Sequence, residues 1–119
     1  MLITATIVRT DGSHVIGVGR IPLFNRTVRT VGTDYTVTSE DFEILADSST
    51  GPFTISLPPA TASGLTIHIG KIGGTDDVVT VQADGDDTIQ GSNQLALVDN
   101  FSDCWLIDAA TGYWDNPGS

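Results

Sequence analysis

Short runs in which every second residue is apolar dominate the chain between Asp34 and Trp114. A strand places residues two apart on the same face, so this period indicates strands with one buried face. Clusters rich in Gly, Asp and Asn separate the runs and are typical of turns. Strands at intervals of roughly ten residues, with no convincing helical period, predict an all-β fold. We expect short antiparallel strands in a sandwich, barrel or prism-like domain.

The composition fits one small globular domain. The chain has 119 residues, of which 39% are hydrophobic and 17% charged, which argues against a disordered chain and against a membrane protein. No apolar run approaches the roughly twenty residues that span a bilayer, and the first residues lack the features of a signal peptide. The single cysteine, Cys104, excludes an internal disulfide and is expected to pack as a small apolar side chain.

Charge is divided unevenly along the chain. Residues 1–33 carry four arginines and one acid, whereas the rest carries Lys71 against fourteen acids within a total net charge of −10. We therefore predict an N-terminal arm or hairpin, residues 1–33, that docks onto another protein, and a β-rich body, residues 34–119. Two alternatives stay open: the arginines only solubilise an extended segment, or the first hairpin belongs to the sheet of the body. The docking residues of the arm are predicted to be Arg9, Arg20, Arg26 and Arg29. The acidic body would repel nucleic acid, so no nucleic-acid partner is expected.

The body has a recognisable rhythm of strands and turns. The stretches that carry it are YTVTSEDFEILAD (residues 35–47), FTISLPPA (53–60), LTIHIGKI (65–72), VVTVQADGDDTIQG (78–91) and WLIDAATGYW (105–114). They resemble a module common in tailed-phage fibre and virion-surface proteins, over about eighty residues. The resemblance implies a β-rich homotrimer that serves in attachment or assembly and is not an enzyme.

Alternation also selects the residues that a core or a trimer interface would bury. They are Phe42, Ile44, Phe53, Ile55, Leu57, Ile67, Ile69, Val79, Val81 and Trp105. Short strands leave open edges that a protein must cover, charge or pair, and association in a closed ring would do so. The choice of a trimer comes from the resemblance.

Acidic clusters are the candidates for a metal site or for acid–base chemistry. Asp84, Asp86 and Asp87 could offer oxygens to Ca²⁺, but they lack the spacing of an EF-hand, and turn chemistry is the preferred interpretation. Glu40, Asp41 and Glu43 could be taken for the paired carboxylates of a glycosidase. Glu40 and Asp41 are adjacent, so a strand would point them to opposite faces, and a solvated face is the preferred interpretation.

Histidines and cysteine are too few for zinc, and no serine sits in a nucleophile motif. His68 should point away from Ile67 and Ile69, as a surface or packed side chain. We predict no catalytic residue, no cofactor and no bound metal.

Three aromatic residues near the C-terminus could meet a partner. Trp105 lies in an apolar run and is expected in the core or an interface. Tyr113 and Trp114, close to the chain end, form a possible ligand surface for a host-surface glycan.

Two functions follow from these expectations. The first is a trimeric capsid decoration (cement) protein that docks through its basic arm on the major capsid protein or another virion protein. The second is a tail-fibre or receptor-binding module that recognises a host glycan or protein. The chain starts at a methionine and shows no repeat or heptad array, so we expect no fibre shaft, which favours the first. Either function places the protein on the virion, on the outer capsid surface or the tail, with no membrane partner.

Overall fold

The structure of the protein is a computed structural model. It describes residues 27–117 in full, and before them only the backbone of two strands. The described part contains twelve strands and no helix, so the predicted all-β class is confirmed.

Strands β1 (Leu2–Val8) and β2 (His14–Pro22) pair antiparallel in a two-stranded sheet. The remaining strands form the body. They are β3 (Thr27–Val31), β4 (Tyr35–Thr36), β5 (Asp41–Asp47), β6 (Phe53–Ser56), β7 (Thr66–Ile72), β8 (Val79–Gln82), β9 (Thr88–Ile89), β10 (Gln94–Leu97), β11 (Asp103–Ala110) and β12 (Tyr113–Asp115).

The body consists of a six-stranded sheet, ordered β3-β5-β7-β11-β12-β9, and a four-stranded sheet, ordered β10-β8-β6-β4. From β3 to β8 the chain alternates between the two sheets, and strands that follow each other within one sheet pair in parallel. The chain therefore winds as a flattened coil. Antiparallel pairs of β10 with β8 and of β11 with β7 then close it.

The expectation of antiparallel strands is therefore wrong for the first part of the body. A parallel pair needs a long crossover between its strands. Here each crossover contains a strand of the opposite sheet, as β6 does between β5 and β7. Alternation in the sequence reports which residues are buried and carries no information about strand direction.

The core lies between the two sheets. It buries eight of the ten residues that alternation selected: Ile44, Phe53, Ile55, Leu57, Ile67, Ile69, Val79 and Val81. The other two do not belong to this core, because Phe42 is half-buried and Trp105 is 39% exposed. A role for them in a trimer interface stays a prediction.

Strand β3 belongs to the body. It pairs in parallel with β5 along its whole length, from Thr27 to Val31. The side chain of Val31 packs against the core. The last part of the predicted arm is thus a strand of the six-stranded sheet. The side chains of Arg9, Arg20 and Arg26 lie outside the described residues, so their docking role stays a prediction.

Candidate functional site

Asp41, at the start of β5, is a fully buried carboxylate that ties β3 and β4 to the sheet. Its Oδ1 accepts hydrogen bonds from Arg29 Nε at 3.1 Å and Thr27 Oγ1 at 3.3 Å. Its Oδ2 accepts from Tyr35 Oη at 2.6 Å and the Thr38 backbone N–H at 2.9 Å. Burial works to raise the pKa of Asp41, but the hydrogen bonds from Tyr35, Thr38 and Arg29 outweigh it and lower the pKa. Arg29, a predicted docking residue, is thus engaged within its own chain.

Asp108, on β11, holds the loop between β6 and β7 in the same way and is only 2% exposed. Its carboxylate accepts from the backbone N–H groups of Thr61 at 2.9 Å, Ala62 at 2.8 Å and Ser63 at 3.2 Å, and from the Ser63 hydroxyl at 2.6 Å. Successive N–H groups that converge in this manner form an anion cradle. Burial works to raise the pKa of Asp108, but the hydrogen bonds from Ser63, Thr61 and Ala62 lower it overall. The cradle is filled by the chain's own side chain and has a structural role.

The candidate calcium cluster forms a turn. The Asp87 backbone N–H donates to Asp84 O at 2.8 Å, and Asp87 Oδ2 accepts from the Ala60 backbone N–H at 2.8 Å. Asp84 and Asp86 are exposed. Among the residues that the structure describes, no group of three or more His, Cys, Asp or Glu side chains is placed to hold a metal ion.

Cys104 is fully buried in β11. Burial raises the pKa of its thiol to about 12. Because only the thiolate is a good nucleophile, this cysteine has no reactivity to contribute near neutral pH.

The most distinctive polar group lies on the outer face of the six-stranded sheet, the side turned away from the four-stranded sheet. Glu43 on β5, His68 on β7 and Trp105 on β11 stand side by side in register across three adjacent strands. Asp103 lies two residues before Trp105 on β11 and so shares its face. We call Glu43, His68, Asp103 and Trp105 the Trp105 cluster.

His68 is clamped between two carboxylates. Its Nδ1 lies 2.6 Å from Glu43 Oε2, and its Nε2 lies 2.7 Å from Asp103 Oδ2. Its ring centroid is 4.6 Å from that of Trp105, and Phe42 lies edge-on to Trp105 at 6.1 Å. Burial works to lower the pKa of His68, but the bonds to Asp103 and Glu43 prevail and raise it. A histidine whose two ring nitrogens are both bonded to carboxylates is poorly suited to be a general base.

The two tryptophans differ in burial. Trp114, predicted at a ligand surface, is fully buried in the core, because β12 pairs with both β11 and β9. That prediction is therefore wrong for Trp114, while Tyr113 is half-buried. Trp105 is the tryptophan that reaches solvent.

Other large apolar side chains are exposed in two places. Val28, 68% exposed, lies in register beside Glu43 on the outer face. Val98 and Phe101 are exposed on the connection between β10 and β11, where Phe101 has a φ of 64°, an unfavourable value for a non-glycine residue.

Open depressions lie on the part of the chain that the structure describes. An open depression of about 370 Å³ is lined by Gly32–Asp34 and Thr50–Phe53. Its one carboxylate, Asp34, already accepts a hydrogen bond from the Thr54 backbone N–H at 2.8 Å. It brings no group of reactive side chains together.

Comparison with known proteins does not assign a family. No family model and no curated protein matched the chain. None of the described residues forms a helix of the length and hydropathy needed to cross a membrane.

The alternation of β7 could have placed His68 on the outer face, but both alternating sets of residues at Cys104–Ile107 in β11 are apolar, so only the structure places Trp105. Ile67 and Ile69 face the core, as do Cys104 and Leu106, so His68 and Trp105 must face outward. That the two rings are neighbours follows only from the register between β7 and β11, which the sequence does not show.

Proposed function

We propose that the chain is a non-enzymatic structural protein of a phage virion, most simply a capsid decoration protein that works as a homotrimer and docks through its basic N-terminal segment. The observation that carries the proposal is the outer face of the six-stranded sheet. It exposes the large apolar side chains Trp105 and Val28, which suits contact with another macromolecule.

Three further points support assembly over catalysis. Asp41 and Asp108 are buried, and their carboxylates accept hydrogen bonds from other groups of the same chain. The thiol of Cys104 is buried, and His68 is bonded at both nitrogens. The phage setting rests on the resemblance of the sequence alone.

The first experiment is to measure the copy number of this protein in purified virions, by quantitative mass spectrometry against the major capsid protein. Copies near stoichiometric with the capsid subunit are the expected result. A few copies would assign the protein to the tail, and absence from virions would refute both positions.

The role of the N-terminal segment can be tested separately. A protein that starts at Thr27 should fold, because the strands of the body are retained, but should no longer bind virions that lack the native protein. Binding equal to that of the full chain would refute docking through residues 1–26. Sedimentation of the full chain tests the trimer.

The second candidate is a receptor-binding module of the tail. Exposed Trp105 favours it, since an aromatic face can stack on a sugar ring and the neighbouring Asp103 can accept from a hydroxyl. The purified protein should then adsorb to host cells and block infection, and Trp105→Ala should lose both effects. A decoration protein should do neither.

A further inference from the structure

The Trp105 cluster offers hydrogen-bond acceptors beside an exposed aromatic ring. One oxygen of Glu43 and one of Asp103 bind His68. Neither carboxylate has an arginine or lysine within ion-pair distance among residues 27–117. Their side chains are 25% and 48% exposed, so both can be reached from solvent.

The polar atoms of the cluster restrict what it can bind. Both nitrogens of His68 are occupied, so apart from the indole N–H of Trp105 the available polar side-chain atoms are carboxylate oxygens. A matching ligand must donate hydrogen bonds and tolerate an aromatic face. An arginine guanidinium is planar, carries five N–H donors, and combines stacking on aromatic rings with carboxylate binding.

The body already holds one arginine by this combination. The guanidinium carbon of Arg29 lies 5.5 Å from the centre of the Tyr35 ring, and Arg29 Nε donates to Asp41 at 3.1 Å. Trp105 with Asp103 and Glu43 repeats the same components, an aromatic ring and carboxylates, on the outer face.

Charge complementarity indicates where the arginine comes from. Residues 27–119 carry fourteen acids against Arg29 and Lys71. Arg29 is bound to Asp41, and Lys71 is fully buried. The other three basic residues of the chain, Arg9, Arg20 and Arg26, all lie in residues 1–26, where Asp11 is the one acid.

We propose that the Trp105 cluster binds an arginine side chain from residues 1–26 of a neighbouring copy of this chain. The inference rests on the proposed homo-oligomer and names the contact that links its subunits. A segment of one subunit on the sheet face of the next is a heterologous contact, and repetition around a rotation axis closes it into a ring.

The test is the self-association of the full-length protein, measured by sedimentation velocity over a range of concentrations. Arg9, Arg20 and Arg26 are changed together to Gln, which substitutes no residue of the described body, and Trp105→Ala is made separately. Each change should weaken association by at least about tenfold, the effect expected from losing a stacked and paired guanidinium. Combining them should add little, because both remove the same contact.

Two controls separate this contact from general electrostatics. Asp84→Asn with Asp86→Asn removes two exposed charges elsewhere on the body and should change association by less than about twofold. Replacing the three arginines by lysines keeps the charge but loses the planar donors, and should still weaken association.

Association that is unaffected by the Gln changes or by Trp105→Ala would overturn the inference. Association of the lysine variant as strong as that of the wild type would overturn it as well. A wild-type chain that is monomeric at all concentrations would also overturn it. If the copy number in virions nonetheless matches the capsid subunit, the decoration role stands and this contact is removed, together with the homotrimer where the wild-type chain is monomeric.

Discussion

Replacing Asp108 by Asn should destabilise the protein far more than the loss of one acid from an acidic chain suggests. The carboxylate is 2% exposed and accepts from three consecutive backbone N–H groups, of Thr61, Ala62 and Ser63, and from the Ser63 hydroxyl at 2.6 Å. An amide keeps one acceptor oxygen and turns an NH₂ group toward these donors. Hydrogen bonds to a charged group contribute about 1.5–3 kcal/mol each, and buried donors without a partner carry a penalty of similar size.

We therefore expect Asp108→Asn to lower the free energy of unfolding by about 3 kcal/mol, after allowing for the burial cost that a neutral side chain avoids. Urea unfolding followed by circular dichroism, at one protein concentration, measures this. With a denaturant slope of about 1.5 kcal/mol/M, the midpoint should fall by about 2 M.

Asp86→Asn is the matched control for this experiment. Asp86 is exposed in a turn, so its replacement should change stability by less than about 0.5 kcal/mol. Equal midpoints for the two variants would refute the assignment of Asp108 as the group that holds the loop.

Acid provides an independent check on Asp108. Its pKa in the folded protein lies below the unfolded value, so its contribution is present above the unfolded pKa and is lost as pH falls through the folded pKa. The stability gap between wild type and Asp108→Asn should therefore shrink as the pH is lowered from 7 toward 3. A gap that is constant with pH would mean that the charge of Asp108 does not stabilise the fold.

Three further predictions concern other elements. His68 has a raised pKa in the folded protein, so its contribution to stability is complete below the pKa of the unfolded chain and is lost as pH rises through the folded pKa. The difference in stability between wild type and His68→Gln should therefore be larger at pH 6 than at pH 9. The reverse order would contradict the bonding of His68 to the two carboxylates. Gly73 and Gly74 both have positive φ, but a Cβ at Gly73 would lie 2.6 Å from Asp47 Oδ1 and a Cβ at Gly74 would meet nothing within 4 Å. Gly74→Ala should cost about 1 kcal/mol in urea unfolding and Gly73→Ala distinctly more, and equal costs would refute the close approach. The buried thiol of Cys104 should not react with a thiol reagent at pH 8 until urea unfolds the protein, and rapid reaction in native buffer would contradict its burial.

The sequence predicts burial well and pairing poorly, and the reason is visible in β7. Ile69 is in register with Ile44 of a parallel strand on one side and with Cys104 of an antiparallel strand on the other. All three residues are buried and belong to similar alternating runs. Alternation depends on one strand at a time, whereas strand direction depends on how the chain crosses between sheets.

The tryptophans show a second limit. In the run from Cys104 to Ile107, both alternating sets of residues are apolar, so the pattern permits either set to face the core. The larger Trp105 suggested the core, but the smaller pair, Cys104 and Leu106, fills it. Trp114, on the neighbouring strand β12 and in register with Asp108, is the tryptophan that the core buries.

Buried aspartates could not have been found from local sequence. Asp41 and Asp108 lie beside residues typical of turns and exposed positions, and both are buried. Asp41 accepts one bond from nearby Thr38, but Arg29 and Thr27 donate to it from 12 and 14 positions away. Thr61, for example, donates to Asp108 across 47 positions. Only the assembled coil brings these partners together.

The Asp41 network also determines where the N-terminal segment can be removed without damage. A cut after residue 33, at the boundary that charge suggested, would delete β3 and with it two of the groups that bind Asp41, the hydroxyl of Thr27 and the guanidinium of Arg29. That protein would keep a buried carboxylate with fewer partners and would expose the edge of β5, so we expect it to be unstable. A cut after residue 26 spares both groups and should leave a body with the strand content of residues 27–117, measurable by circular dichroism. If both truncated proteins fold equally well, β3 contributes little to the body, and the charge boundary is the structural one after all.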